Sequence, residues 1–145
     1  MAGRSKDEIA RISAETMWAE DNATRALGIE RIAVGPGSAT MAMTIQPHMT
    51  NGHGMCHGGY IFLLADSAFA FACNSHGQRH VAQHCMVTFL APGKLGSRLV
   101  AEAYERQRAE RSGITDVTVR DADGTVIAEF RGHSRSIPGS LLPEG

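Results

Sequence analysis

The stretch from Gly58 to Cys73, GGYIFLLADSAFAFAC, is apolar on every helical face and carries one charged residue, Asp66. A half-exposed helix or strand would show a polar side, and a bilayer span takes about 20 apolar residues without such an interruption. The pattern predicts a central, buried helix over about 58–74 that the rest of the chain must cover.

The flanking sequence supplies strands for that cover. GIERIAVGPGSATMAMTIQP holds two β-rich runs about a Gly35-Pro36-Gly37 turn, with Ala39, Met41, Met43 and Ile45 on one face, which reads as a hairpin. HVAQHCMVTFL reads as a strand ending at Pro92-Gly93, and RLVAEAYERQRA alternates through Leu99, Ala101 and Ala103. ITDVTVR and TVIAEFRGHSRSI flank an Asp123-Gly124 hairpin signal. Ahead of these, Ser5 as cap with Glu8 three residues on opens an N-terminal helix over about 5–22, with Ile9, Ile12, Met17 and Trp18 as its apolar positions. The tail PGSLLPEG reads as frayed. The expected architecture is α+β: about six mostly hairpin-connected antiparallel strands wrapped around one long helix inserted after the second.

At 145 residues and 43% hydrophobic side chains, one domain over 1–145 suffices. A formal charge of −1 gives no global attraction to nucleic acid or to an anionic membrane. The polar N-terminus lacks an apolar signal region, and Cys56, Cys73 and Cys85, without CxxC spacing, read as free core thiols, so a cytoplasmic location is expected.

Asp66 is the residue that needs a reason. A carboxylate among apolar side chains is costly unless paired, and such groups often carry catalytic duties. Three plain readings compete: a satisfied buried polar group, a dimer-interface residue without chemistry, or the cap of a shorter helix beginning at Ser67. Upstream, Gly58 and Gly59 sit where the helix should begin, leaving backbone N–H groups and the positive dipole end open to a ligand oxygen; glycines that merely turn the chain would look the same. If Gly58 and Asp66 share one site, the eight residues between them, about 12 Å of helix axis, exceed the reach of one carbonyl. Two copies of the helix, antiparallel across a two-fold axis, would then bring Gly58 of one to Asp66 of the other.

Other groups are weaker candidates. His53, Cys56, His57, His76, His80 and His84 lack metal-ligand spacing, so no metal is expected. His57 is a candidate hydrogen-bond donor to a substrate carbonyl or a plain loop histidine, and Asn51 a turn residue or a neighbour of the reacting groups. GHGMCHGG has neither the GxGxxG nor the P-loop spacing, and no GxSxG elbow occurs. Arg106, Arg108 and Arg111, with Lys94 in an earlier loop, are either a phosphate grip or a solvated sheet edge.

TNGHGMCHGG, followed by FLLADSAFAFACNS, FLAPGKLG and FRGHS, resembles the PaaI-type hotdog-fold acyl-CoA thioesterases of phenylacetate catabolism, from about Trp18 to Ser136. The resemblance implies the hotdog fold, a homodimer with composite sites, a tetramer built as a dimer of dimers, and hydrolysis of acyl-CoA, with aryl-acetyl groups such as (hydroxy)phenylacetyl as acyl parts. It implies Asp66 as general base or nucleophile, the Gly58 amide polarising the carbonyl, His57 assisting there, and Asn51 positioning the reacting groups. Gly59, Ala82, Phe89, Arg108, Arg111, Ser112 and Gly113 become substrate or CoA contacts. Some relatives have a hydroxyl at Ala82 that orients water; its absence leaves His80 or His84 as substitutes. No cofactor is expected beyond the CoA of the substrate, and neither a nucleic acid nor a membrane partner. The rival reading is a hotdog protein that binds acyl-CoA without hydrolysing it.

Overall fold

The computed structural model describes residues 3–143. The chain runs α1 (Lys6–Glu20), α2 (Asn22–Ala26), β1 (Glu30–Gly35), β2 (Ser38–Thr44), a 3-10 turn (Pro47–Met49), α3 (Gly58–Cys73), β3 (Gln78–Phe89), β4 (Arg98–Arg108), β5 (Ser112–Arg120) and β6 (Val126–Ser140). All six strands join one antiparallel sheet in the order β1-β2-β4-β5-β6-β3. This is the hotdog arrangement, with α3 laid against the sheet.

Hairpins link β1 to β2, β4 to β5 and β5 to β6, the first and last at the turns their residues predict. The last is built by Asp121, whose Oδ1 accepts from the N–H groups of Asp123 and Thr125 while Gly124 takes φ +83°, a left-handed conformation that suits glycine. β3 is not hairpin-connected; it crosses to the far edge and pairs with β6.

Every second residue of the inner sheet face packs on α3: Met41 and Met43 on β2, Leu99 and Ala101 on β4, Val117 and Val119 on β5, Ala128 and Phe130 on β6. Gly132 on β6 is required here, because a Cβ would lie 2.6 Å from the ring of Phe69. The sheet covers only one side of α3, where the sequence pattern predicts cover all round. Gly59, Leu63, Asp66 and Ala70, spaced four, three and four, form a stripe that stays exposed or half-exposed. A sheet touches a helix along one face, and the remaining stripe is left to something else.

Two further expectations are revised. The N-terminal helix stops at Glu20 rather than 22, because Asp21 caps the separate helix α2, accepting from the Thr24 N–H at 3.0 Å. Ser5 opens α1 as predicted, accepting from the Glu8 N–H at 3.1 Å, but Ala10, Ser13 and Ala14 are its buried face, with Ile9, Ile12, Met17 and Trp18 half-buried beside it. The expected frayed tail is tied in as far as Leu141, which is buried and donates its N–H to the Gly77 carbonyl at 2.7 Å. Residues 144–145 lie outside the described residues. Among the described residues no helix is long and apolar enough to cross a membrane.

Candidate active site

The N-terminus of α3 is built by its preceding loop. Asn51 closes residues 51–55: its backbone N–H donates to the Met55 carbonyl at 2.8 Å and its Oδ1 accepts from the His53 N–H at 2.9 Å. The Cys56 N–H bonds to the Gly93 carbonyl and the His57 N–H to the Met49 carbonyl, which fixes the entry to the helix. Asn51 is thus a turn residue here, and its Nδ2 makes no hydrogen bond among the described residues.

His57 is the N-cap of α3. Its Nδ1 accepts from the Gly59 N–H at 2.9 Å, which in the neutral ring places the proton on Nε2 and leaves that nitrogen an outward-facing donor. The Tyr60 N–H bonds to the His57 carbonyl. Among the described residues the Gly58 N–H has no acceptor, so one of the orphan donors at this helix end stays available beside the positive end of the dipole.

That donor opens on an apolar cleft of about 540 Å³ lined by Met55, Cys56, Gly58, Ile61, Phe89 and Pro92, among others. Glycine at 58 lets the Phe89 ring close on the helix start, since a Cβ there would stand 2.9 Å from the ring tip and push it aside. Burial pushes the Cys56 thiol up, which keeps it neutral and inert. The cleft residues Met55, Cys56, Ile61 and Pro92 escape the sequence reading, since only the return of the 92–93 turn onto the α3 N-terminus brings them together.

Asp66 sits mid-helix, and α3 runs through it unbroken, which removes the reading of a shorter helix capped by Asp66. It is half-buried on the uncovered stripe, and no hydrogen bond joins it to Asn51, His57 or Gly58 among the described residues. Burial first, and the charge of Asp21 second, push its carboxyl above the ordinary range. Cys85 on β3 is a near neighbour whose thiol is raised by burial and by the Asp66 charge.

The remaining candidates divide between the two ends of the sheet. Ala82, paired with Ser134, and Gly113, paired with the same Ser134, lie level with Arg108, Arg111 and Ser112 at the end near the α3 C-terminus. Phe89 lies seven residues further along β3, about 23 Å away, against Gly58. One protomer therefore separates the Phe89–Gly58 group from the arginine turn. Ala82 faces the α3 side of the sheet, in register with buried Ser134. Neither histidine proposed to replace its hydroxyl is aimed at Asp66. His84 lies on the outer face, its ring 5.5 Å from that of His133, and buried His80 donates its backbone N–H to Asn74 Oδ1 at 2.7 Å while its ring Nδ1 lies 3.3 Å from the Gln78 carbonyl. Arg106 is engaged by Asp116 at 3.0 Å, whereas Arg108 and Arg111 are exposed. No group of three or more metal-ligating side chains occurs among the described residues.

Comparison with known proteins places this geometry. Residues 53–128 match the family described as the thioesterase superfamily. The chain is 41% identical over 132 residues to the acyl-coenzyme A thioesterase PaaI of Escherichia coli, covering 91% of this chain and 94% of that protein. The structure of the E. coli PaaI protein from the phenylacetic acid degradation operon superposes with a TM-score of 0.92 at 40% identity, covering 94% of this chain and 99% of that one. The phenylacetic acid degradation protein PaaI from Thermus thermophilus follows at a TM-score of 0.78 and 33% identity, covering 81% of this chain and 100% of that one. With its long apolar helix, its glycine-opened N-terminus and a family match that spans both, the chain belongs to the thioesterase superfamily, in its PaaI-type hotdog branch.

Proposed function

We propose that the protein hydrolyses acyl-CoA thioesters, with aryl-acetyl groups such as phenylacetyl as the preferred acyl part, at sites shared between two copies of the chain. The observation that carries this is the unpaired Gly58 N–H at the head of a sixteen-residue helix, opening on an apolar cleft. A thioester carbonyl oxygen accepting that N–H, with His57 Nε2–H as a second donor, gains negative charge in the transition state where the dipole favours it.

Asp66 of the facing subunit takes the proton as water attacks the carbonyl carbon. Collapse of the tetrahedral intermediate breaks the C–S bond and expels the CoA thiolate, which collects the proton. A carboxylate whose basicity is raised by burial suits this role. The reaction needs no metal and no cofactor.

The antiparallel pairing is supported by three features. About 12 Å of helix separates Gly58 from Asp66 within one subunit. The stripe Gly59, Leu63, Asp66 and Ala70 lies uncovered. Beside it, β3 is an edge strand carrying exposed Val81, Met86 and Phe89. In that pairing the arginine turn of the subunit that supplies Asp66 lies beyond the α3 C-terminus, so CoA extends from the reacting carbonyl toward Arg108 and Arg111, with Ser112 and Gly113 beneath its phosphates. A second pairing of dimers gives the tetramer, and the enzyme works in the cytoplasm.

The test is thiol release from phenylacetyl, hydroxyphenylacetyl, benzoyl, acetyl and medium-chain CoA esters, comparing wild type with Asp66→Asn. Fastest release from the aryl-acetyl esters, lost in folded Asp66→Asn, is the expected result. Binding of these esters without release from any would replace this reading with that of an acyl-CoA-binding protein.

A further inference from the structure

Asp66 has a second carboxylate for a neighbour, and the way that neighbour is held goes beyond the needs of a helix cap. Asp21 lies in the turn between α1 and α2. Its Oδ1 accepts from the Thr24 N–H at 3.0 Å, which is the capping bond. Its Oδ2 accepts from Thr24 Oγ1 at 2.7 Å, and the same hydroxyl lies 2.8 Å from Ser67 Oγ on α3. Asp21 is therefore two hydrogen bonds from the residue that follows Asp66. Thr24 and Ser67 are buried, at 2% and 8% exposure, so water does not break into the link.

We propose that Asp21 is a positioning residue for Asp66: held by Thr24 and, through Thr24, by Ser67, it fixes a second negative charge beside the base and so sets the pH at which the enzyme becomes active. This rests on the reading of Asp66 as the base. Within the protomer the surroundings leave Asp21 little competition; in the proposed pairing, His57 and the positive end of α3 in the facing copy also act on Asp66, equally in wild type and in Asp21 variants. Cys73 on α3 and Cys85 on β3 are the other titratable groups coupled to Asp66, and both thiols are held neutral by burial. β2, β5 and β6 present apolar or hydroxyl side chains to α3, β4 adds Glu105, which is paired with His76 at 2.6 Å and acts on Cys73 at the far end of the helix, and Arg31 on β1 is turned over the Trp18 ring at 5.4 Å. A fixed like charge favours the protonated form of Asp66, so the direction of the effect is set by the geometry.

Asparagine caps helices as well as aspartate does, so Asp21→Asn keeps the α2 cap and removes the charge; its Nδ2 donates to Thr24 Oγ1 where Oδ2 accepted, and the Thr24 hydroxyl turns to donate to Ser67 Oγ. The Asp66 carboxyl is titrated by carbon NMR in aspartate-labelled full-length protein, assigned with Asp66→Asn, and kcat/KM for phenylacetyl-CoA is measured against pH for the same variants. In Asp21→Asn the Asp66 midpoint and the acid limb of kcat/KM both move to lower pH, so that below the limb the variant keeps a larger share of its plateau rate than wild type does. Thr24→Val, which keeps the charge but frees it, moves both the same way, and Thr24→Ser restores them. A merely structural Asp21 would lower stability and plateau rate without moving either midpoint. An unmoved Asp66 midpoint in folded Asp21→Asn, or in Asp21→Ser should the first variant not fold, overturns the proposal. If the NMR midpoint moves while the rate limb stays, the coupling stands and the assignment of Asp66 as base fails.

Discussion

The two sides of α3 are made of similar residues and meet different fates. Toward the sheet, Leu64, Ala65, Ala68, Phe69 and Ala72 are sealed, each at 1% exposure or less. On the other side Gly59, Leu63, Asp66 and Ala70 are open or half-open. Where the protomer can satisfy an apolar helix by itself, it does so with close-packed, chemically inert side chains. Where it cannot, it places the one carboxylate of α3, and there a second copy has something to complete.

The sharpest contrast comes from truncating the sealed side. Phe69→Ala removes a ring that lies 5.7 Å from that of Phe130 and fills the space over Gly132, so it should lower unfolding free energy by about 3–5 kcal/mol in chemical denaturation. A loss well under about 2 kcal/mol would mean that this side is less tightly packed than its burial implies. The open side should behave differently. Ala70→Arg should leave the far-UV spectrum and protomer fold intact, shift sedimentation from assembled to single chains, and reduce thioester hydrolysis by ~100-fold or more, the scale of losing an oxyanion donor. A single chain that kept full activity would refute the shared site.

Smaller effects probe the two functional positions on α3. His57→Ala removes the cap on the Gly59 N–H and should lower stability by about 1 kcal/mol, read as a drop in denaturation midpoint. Asp66→Asn should do the opposite at neutral pH. A carboxyl raised above its ordinary 3.8 binds its proton more tightly folded than unfolded, so stability falls as pH rises from that value through the folded one. The variant should therefore melt higher than wild type at neutral pH, with the difference vanishing well below 3.8. Equal melting temperatures throughout would show that the assembled protein keeps Asp66 at its ordinary value.

Much of the site was legible because its parts are local. Gly58 and Gly59 at a helix start, His57 before them and Asp66 two turns later follow from spacing within one segment, and the structure places all four on α3 or its cap. The failures share a cause. Asp21, Thr24 and Ser67 are separated by 43 residues across their buried hydroxyl contact, and nothing in either segment alone announces it. His80 and His84 looked equivalent as neighbours of Ala82, but the strand set the ring of one near the Gln78 carbonyl and turned the other to the outer face.

The sequence by itself determined the elements: an apolar helix from 58 to 73, Ser5 as a cap, the Asp121–Gly124 turn, and alternation along the strands. These depend on hydrogen bonds and periodicities that span a few residues. Tertiary structure decided what stands beside Asp66, through the contact of α2 with α3, and which side of α3 stays open, through β3 crossing the whole sheet to pair with β6. That pairing closes a long loop and is specified by the sum of many weak contacts, none of which is written in the segment it positions.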